Sequence, residues 1–137
     1  MTIAQEITLA ASGDINPSRF VSISGNSTVS QSTANEAIIG ISPPGAKAAP
    51  ISGASTLAAE FTDSIGITIV GGRQLLMYGG TVVAGDRLKS DANGKGVAMA
   101  TTGIQQNVGA YAIEGGSSGD IRMVIVMTSS LDASTSP

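Results

Sequence analysis

The chain has 137 residues and a formal net charge of −3, with 18 Gly, 3% aromatic residues and neither His nor Cys. Without His and Cys there is no Ser-His-Asp or Cys-His catalytic set, no zinc site of the usual ligands and no disulfide. An acidic chain also lacks the basic face that nucleic-acid phosphates require, so we expect no nucleic-acid partner.

The sequence predicts no targeting segment and no membrane partner. Arg19 is the first cation, so no charged region precedes an apolar stretch as it does in a secretory signal. The apolar run at residues 65–70 contains Gly66 and Thr68 and is far too short to span a bilayer. We therefore expect synthesis in a cytoplasm.

The first residues predict an amphipathic strand. Ile3, Gln5, Ile7 and Leu9 share one parity of an alternating segment. Residues 1–16 then have two interpretations. They form an arm that adds to a partner's sheet, with these four side chains as its contacts, or they are an edge strand of the chain's own domain.

Short β-like runs follow at residues 19–24, 28–31 and 37–42. A loop rich in Pro, Ala and Ser is predicted at residues 43–59, because its prolines interrupt any regular element. At most one short helix is predicted, at residues 55–61, whose first residue is a suitable N-cap.

The second half of the chain predicts two hairpins. The first joins alternating residues 65–70 to residues 74–78 through the Gly71-Gly72 pair. The second turns at Asn93-Gly94, because a type I′ turn needs two residues that tolerate positive φ.

The last predicted strands are residues 108–113 and 122–127. The run from Met123 to Met127 is apolar on both faces, which predicts a central strand or a strand with one face given to a neighbouring subunit. The polar residues 128–137 are predicted to form a flexible tail.

Together these elements predict an all-β fold, a mainly antiparallel sandwich or barrel-like domain over residues 17–127. Its core is predicted from the apolar parity of each strand. The predicted core residues are Phe20, Val21, Ile23, Ile39, Ile41, Ile67, Ile69, Leu76, Leu88, Val97, Val108, Ala110, Ala112, Met123, Ile125 and Val126.

The chain contains a weak internal echo, in which residues 18–20 resemble residues 86–88. A Gly-Asp pair also precedes three candidate strands, at residues 13–14, 85–86 and 119–120. In such a pair Gly takes the turn conformation and Asp accepts backbone N–H bonds. Duplication and chance similarity in a glycine-rich chain both remain open.

No motif predicts catalysis. Residues 115–119 fit G-x-S-x-G, but a nucleophile elbow needs a His base and a following helix, and here a strand is predicted to follow. A flexible turn is the favoured interpretation, so we expect no enzyme, no catalytic residue, no metal and no cofactor. The weaker alternatives are Ser117 with a Lys base, or a carboxylate pair; the residues concerned are Lys47, Lys89, Lys95, Glu60 with Asp63, and Asp86 with Asp91.

Four segments resemble the small capsid decoration (cement) proteins of tailed bacteriophages. Residues 83–88 carry an A-G-D segment, residues 91–95 a D-x-x-G-K turn, residues 108–112 a strand that begins V-G, and residues 118–126 an S-G-D that leads into a final strand.

The resemblance implies a non-enzymatic, β-rich protein that binds the outer surface of a phage head and stabilises the capsid. It implies the major capsid protein and further copies of the chain, in a homotrimer, as partners. The protein would be made in the host cytoplasm and placed on the virion exterior, and its arm would contact the capsid. The alternative is a tail, baseplate or surface β module that recognises a receptor or glycan.

Overall fold

The computed structural model describes residues 6–34, 36–44, 58–59, 63–99 and 105–132. These residues contain strands and no helix, so the all-β prediction is confirmed. The strands are β1 (Glu6–Ala11), β2 (Phe20–Gly25), β3 (Thr28–Gln31), β4 (Gly40–Ile41), β5 (Ser64–Thr68), β6 (Arg73–Met77), β7 (Arg87–Ser90), β8 (Gly96–Ala98), β9 (Gln105–Ala112) and β10 (Ile121–Asp132).

The strands form two groups. Strands β1 to β5 close into a barrel in the order β1-β3-β2-β4-β5, and β6 to β10 form a sheet in the order β6-β10-β9-β7-β8. The predicted hairpin between residues 65–70 and 74–78 is therefore wrong, because β5 pairs with β1 and β4 whereas β6 pairs with β10. Gly71, with a φ of 92°, lets the chain leave the barrel for the second sheet.

The two groups repeat one pattern of strand pairing. In each group the first strand pairs antiparallel with the fifth, the fourth with the fifth, and the second with both the third and the fourth. The first and third segments also run parallel in both, at Ala11 opposite Val29 and at Tyr78 opposite Gly96. The structure therefore supports duplication of one five-strand unit.

The loops that precede the second and fifth strands repeat as well. Ile15 forms an antiparallel bridge with Ala59, and Val82 forms the corresponding bridge with Gly116. In both bridges the backbone N–H of the first residue donates to the carbonyl oxygen of the second over 2.9 Å. Ile15 thus corresponds to Val82, and Ala59 to Gly116.

The structural alignment of the halves differs by one residue from the alignment predicted from sequence. Phe20 lies opposite Ile41, and Arg87 lies opposite Tyr111, so Phe20 corresponds to Arg87. The sequence similarity instead aligns Phe20 with Leu88. Because side chains alternate between faces, a shift of one residue exchanges the buried face for the outer one.

The halves share a junction at the start of β2. The N–H of Phe20 donates to the Gly94 carbonyl over 2.7 Å, and the N–H of Met77 donates to the Ser18 carbonyl over 2.9 Å. The Arg19 guanidinium lies beside the Met77 sulfur, with Nη2 3.3 Å from Sδ. Burial lowers the pKa of Arg19, and the nearby Asp91 carboxylate opposes that shift.

Two apolar clusters form the core. One belongs to the barrel, and the other joins buried residues of the second sheet to Phe20, Ile38 and Ile41 of the barrel half. The barrel cluster is Ala11, Ile15, Val21, Val29, Ala58, Ala59, Ile65 and Ile67. The second cluster is Phe20, Ile38, Ile41, Leu76, Tyr78, Val82, Leu88, Ala110, Ala112, Val124 and Val126.

The core prediction is confirmed at ten positions and wrong or partial at six. Ile23 is 53% exposed at the end of β2. Val97, Met123 and Ile125 are half-buried, as are Ile39 and Ile69, which pack against the barrel cluster. The buried predicted residues are Phe20, Val21, Ile41, Ile67, Leu76, Leu88, Val108, Ala110, Ala112 and Val126.

The hairpin predicted at Asn93-Gly94 is confirmed, but its turn is not type I′. Strands β7 and β8 pair antiparallel up to Ser90 opposite Gly96, which leaves a five-residue loop. Within it Gly94 has a φ of 75°, and Asn93 is not among the residues with positive φ. The Asp91 carboxylate organises the loop by accepting the N–H of Asn93 over 2.8 Å and that of Lys95 over 2.9 Å.

The terminal predictions differ from the structure in their boundaries. Strand β1 lies between β3 and β5 in the closed barrel, so residues 6–11 belong to the chain's own domain and have no free edge. Strand β10 pairs with β9 as far as Asp132, whereas the tail was predicted to begin at residue 128. Residues 1–5, residues 133–137 and most of the predicted helix at 55–61 lie outside the described residues.

We expect Gly109→Ala to destabilise the protein, because the second sheet approaches β2 closely at this residue. A Cβ there would lie 2.6 Å from Cε1 of Phe20 and 2.7 Å from Cδ1 of Ile38. Overpacking of this kind lowers the free energy of unfolding by about 1–3 kcal/mol, which urea denaturation measures. Gly13→Ala is the control, since a Cβ at Gly13 meets nothing within 4 Å. Equal stability of both variants would contradict the packing.

Candidate interaction surfaces

The G-x-S-x-G segment is a structural turn. The Ser117 N–H donates to Oδ2 of Asp120 over 2.9 Å, and the Asp120 N–H donates to the Ser117 carbonyl over 3.0 Å. The same two bonds join Val83 and Asp86 at 2.9 and 3.0 Å. The glycines that precede these aspartates have φ of 89° and 94°, as the Gly-Asp interpretation requires. The interpretation is wrong for the third pair, because Gly13 does not have a positive φ. A strand follows Ser117, so a nucleophile elbow is not formed.

The Asp86 and Asp91 carboxylates each accept backbone hydrogen bonds within a loop. Asp86 caps its own turn, and Asp91 accepts two backbone N–H groups. Lys47 and Glu60 lie outside the described residues. Across the described part of the chain, no group of three or more Asp and Glu residues is placed to hold a metal ion. The same residues contain no helix long and apolar enough to cross a membrane.

Tyr78 is the one fully buried aromatic hydroxyl among the described residues. Its hydroxyl donates to the Glu114 carbonyl over 2.6 Å. Burial raises the pKa of Tyr78, and the negative charges of Glu114 and Asp86 add to the effect, whereas Arg122 opposes it.

We expect Tyr78→Phe to lower the free energy of unfolding by about 1 kcal/mol at neutral pH, because a hydrogen bond is lost. A raised folded-state pKa gives stability that is complete below the unfolded value, about 10, and declines as the pH rises above it. The variant should therefore lose less stability than the wild type between neutral pH and pH values above about 10. Urea denaturation at both pH values is the measurement, and identical pH slopes would contradict the assignment.

Strand β10 carries a second apolar face, which we call the bulky face. Val124 and Val126 are buried in the core, so the alternate residues of β10 point away from it. Met123 lies opposite Leu75 of β6, and Ile125 lies opposite Tyr111 of β9, which extends the face over three strands. The bulky face comprises Leu75, Met77, Tyr111, Ile121, Met123, Ile125 and Met127.

The bulky face is partly open and carries positive charge at its margins. Ile121 and Met127 are each 41% exposed, and the other members are half-buried. Arg73 lies opposite Ile125 on the same face. Arg87 lies opposite Tyr111, to whose hydroxyl its Nε donates over 2.9 Å, and its guanidinium carbon is 5.5 Å from the ring centre.

The corresponding surface of the barrel, which we call the small face, carries small side chains and an acidic residue. It is the outer side of β1 and β5, where Thr8 lies opposite Gly66 and Ala10 opposite Ser64. Glu6 lies at its margin, opposite Thr68. Glu6, Thr8 and Ser64 are exposed.

The repeat places the small face and the bulky face at equivalent positions. Because Ala10 pairs with Ser64 as Met77 pairs with Ile121, β1 matches β6 residue by residue. Thr8 therefore corresponds to Leu75. By the same register Glu6 corresponds to Arg73, so the two faces differ in both side-chain size and charge.

The structure describes two of the four predicted capsid-contact residues. Ile3 and Gln5 lie outside the described residues. Ile7 lies opposite Ile67, and Leu9 packs against the barrel cluster, so both share the inner side of β1. Ile7 is nevertheless 37% exposed.

The bulky face was only partly predicted from sequence. The unbroken apolar run from Met123 to Met127 indicated a strand with a face for a neighbour. The contributions of Leu75 and Met77 were not predicted, because residues 74–78 were expected to pair with residues 65–70 and instead pair with β10. The small face has no sequence signal of its own, since Thr, Ala, Ser and Gly occur throughout the chain.

Comparisons with known proteins identify a shared fold. No family model matches the chain, and no curated protein matches its sequence. Among solved structures, the N base of head fiber gp8.5 in bacteriophage phi29 matches with a TM-score of 0.61 and 16% sequence identity. The match covers 93% of this chain and 97% of that chain, so the likeness extends over both halves of the repeat.

Proposed function

We propose that the chain is a non-enzymatic structural protein on the outside of a bacteriophage head. The observation that carries the proposal is the nearly full-length fold similarity to the base of a phage head fiber. The segments that resemble decoration proteins, at residues 83–126, support the same class of protein independently.

The protein binds the major capsid protein as a homotrimer and stabilises the capsid on the virion exterior, after synthesis in the host cytoplasm. A head offers many identical sites, so a modest affinity at each site suffices when three subunits bind together. A closed ring of three requires a heterologous interface, in which two different surfaces of the chain meet.

The N-terminal segment attaches the protein to the head. Ile3, Gln5 and the exposed part of Ile7 are the proposed capsid contacts. Leu9 anchors the segment, because it packs against the barrel cluster. This division follows from the position of β1 between two barrel strands.

Co-sedimentation with phage heads tests the proposal. Heads stripped of their own decoration protein should bind the purified chain saturably, at a ratio near one chain per capsid subunit. Bound heads should then survive more heat or chelator than bare heads. Binding without a gain in stability would remove the stabilising role and leave attachment alone.

A second candidate is a tail, baseplate or surface module that recognises a receptor or glycan, and the fold similarity to part of a phage head fiber favours it. Copy number separates the two functions. A decoration protein is present in hundreds of copies per particle, whereas a fiber or tail module is present in far fewer. Quantitative mass spectrometry of purified particles measures this number.

A further inference from the structure

We propose that the bulky face of one chain docks on the small face of a second copy, head to tail. The proposal deepens the self-association in the proposed function and does not depend on binding to a head.

The bulky face needs a partner that carries negative charge. Arg73 and Arg87 lie on it, and Lys89 is on the same side of β7 as Arg87. The seven residues that define this face include no carboxylate, and the nearby Glu114 carboxylate accepts the backbone N–H of Met123 over 3.3 Å. Packing of two bulky faces against each other would bring the Arg73, Arg87 and Lys89 side chains of both copies to one contact, which is unfavourable.

The small face of a second copy supplies the complementary charge. Glu6 is exposed at its margin, next to Gly66, where a Cβ would lie 2.8 Å from the Glu6 carboxylate. The described residues of the barrel half carry the carboxylates Glu6, Asp14, Glu36 and Asp63, and one cation, Arg19. Arg19 is held at the junction between the halves. Opposite charges across a contact favour association of this pair of surfaces over the self-pairing of either one.

The two faces also match in shape. The bulky face presents Met and Ile side chains, whereas Thr8 and Ala10 of β1 and Ser64 of β5 present small ones. Small residues permit a close approach of another sheet, and burial of the exposed parts of Ile121 and Met127 contributes apolar stabilisation. A contact between unlike surfaces of identical chains is heterologous, and it generates a ring when its rotation closes.

Two variants test the faces separately by analytical ultracentrifugation. Met123→Asp places a charge in the bulky face. Thr8→Trp places a large side chain on the small face, which prevents the close approach of a second sheet. Each should be monomeric at concentrations where the wild type associates. Ile23→Asp is the matched control for the first variant, because Ile23 is 53% exposed and lies on neither face, and it should associate like the wild type.

Mixing the two variants distinguishes head-to-tail contact from symmetric contact. Each variant retains one intact face, so an equimolar mixture should form a dimer of one copy of each. A mixture that stays monomeric while the wild type associates would overturn the assignment, as would normal association of Thr8→Trp. A monomeric wild type at every concentration tested would overturn it as well.

Circular dichroism first establishes that each variant is folded. If Met123→Asp does not fold, Arg73→Glu serves in its place. Arg73 is exposed, so this substitution changes the charge of the bulky face without disturbing the core. Arg73→Glu should weaken association at least tenfold, and unchanged association would overturn the proposal. Head co-sedimentation is measured separately. A monomeric variant that binds heads more weakly than the wild type supports both proposals, because multivalency is lost. A wild type that associates without binding heads contradicts only the proposed function.

Discussion

Deletion of residues 1–9 is expected to unfold the protein, whereas deletion of residues 1–5 should leave it folded. Residues 6–9 provide four of the five register pairs between β1 and β5, and Leu9 packs against the barrel cluster. Their loss opens the barrel and exposes its core to water. The expected loss is of the same order as the free energy of unfolding of a small domain, about 5–15 kcal/mol. Circular dichroism and urea denaturation of both deletions are the measurements.

The shorter deletion also tests the attachment proposal. A folded chain that lacks residues 1–5 should co-sediment more weakly with phage heads, because Ile3 and Gln5 are lost. The full-length chain is the control. Unchanged binding would place the capsid contact elsewhere, and a folded product from the longer deletion would contradict the role of β1 in the barrel.

Phe20→Ala is expected to lower the free energy of unfolding by about 3–5 kcal/mol, the usual cost of truncating a buried aromatic residue. Phe20 is fully buried in the cluster that joins the barrel to the second sheet. A Cβ at Gly109 would meet its ring at 2.6 Å, which shows how closely the two halves approach there.

Ile23→Ala is the matched control for this substitution, since Ile23 lies on the same strand and is 53% exposed. Its effect should stay within about 0.5 kcal/mol of the wild type. Equal effects of the two substitutions in urea denaturation would contradict the burial of Phe20. Loss of a single cooperative transition in Phe20→Ala would instead show that the junction couples the halves.

The all-β fold and most strands were predictable, because alternation and turn residues are local properties. Strand partners were not, since the alternation at Ile65 and Ile67 is the same whether the strand pairs with β6 or with β1. The buried face of β10 was not predictable either. Its residues are apolar on both sides, so only the packed structure shows that Val124, rather than Met123, faces the core.

The candidate surfaces were less predictable than the fold. The apolar strand at Met123 to Met127 suggested a neighbour, but the partner surface depends on strand register. A repeat aligned by sequence similarity places Phe20 with Leu88 and so compares opposite faces. Only the pairing of Phe20 with Ile41, and of Arg87 with Tyr111, shows which side chains are equivalent.

The divergence of the two halves has a consequence for the proposed association of one copy of the chain with the next. If both halves presented the same outer face, every copy would carry two interchangeable binding surfaces, and chains would join in either direction. Instead Phe20 is buried in the first half, while its counterpart Arg87 is exposed in the second. In the head-to-tail contact that we propose, each chain therefore offers two unlike surfaces. Growth then has one direction and stops when the bulky face of the last copy meets the small face of the first.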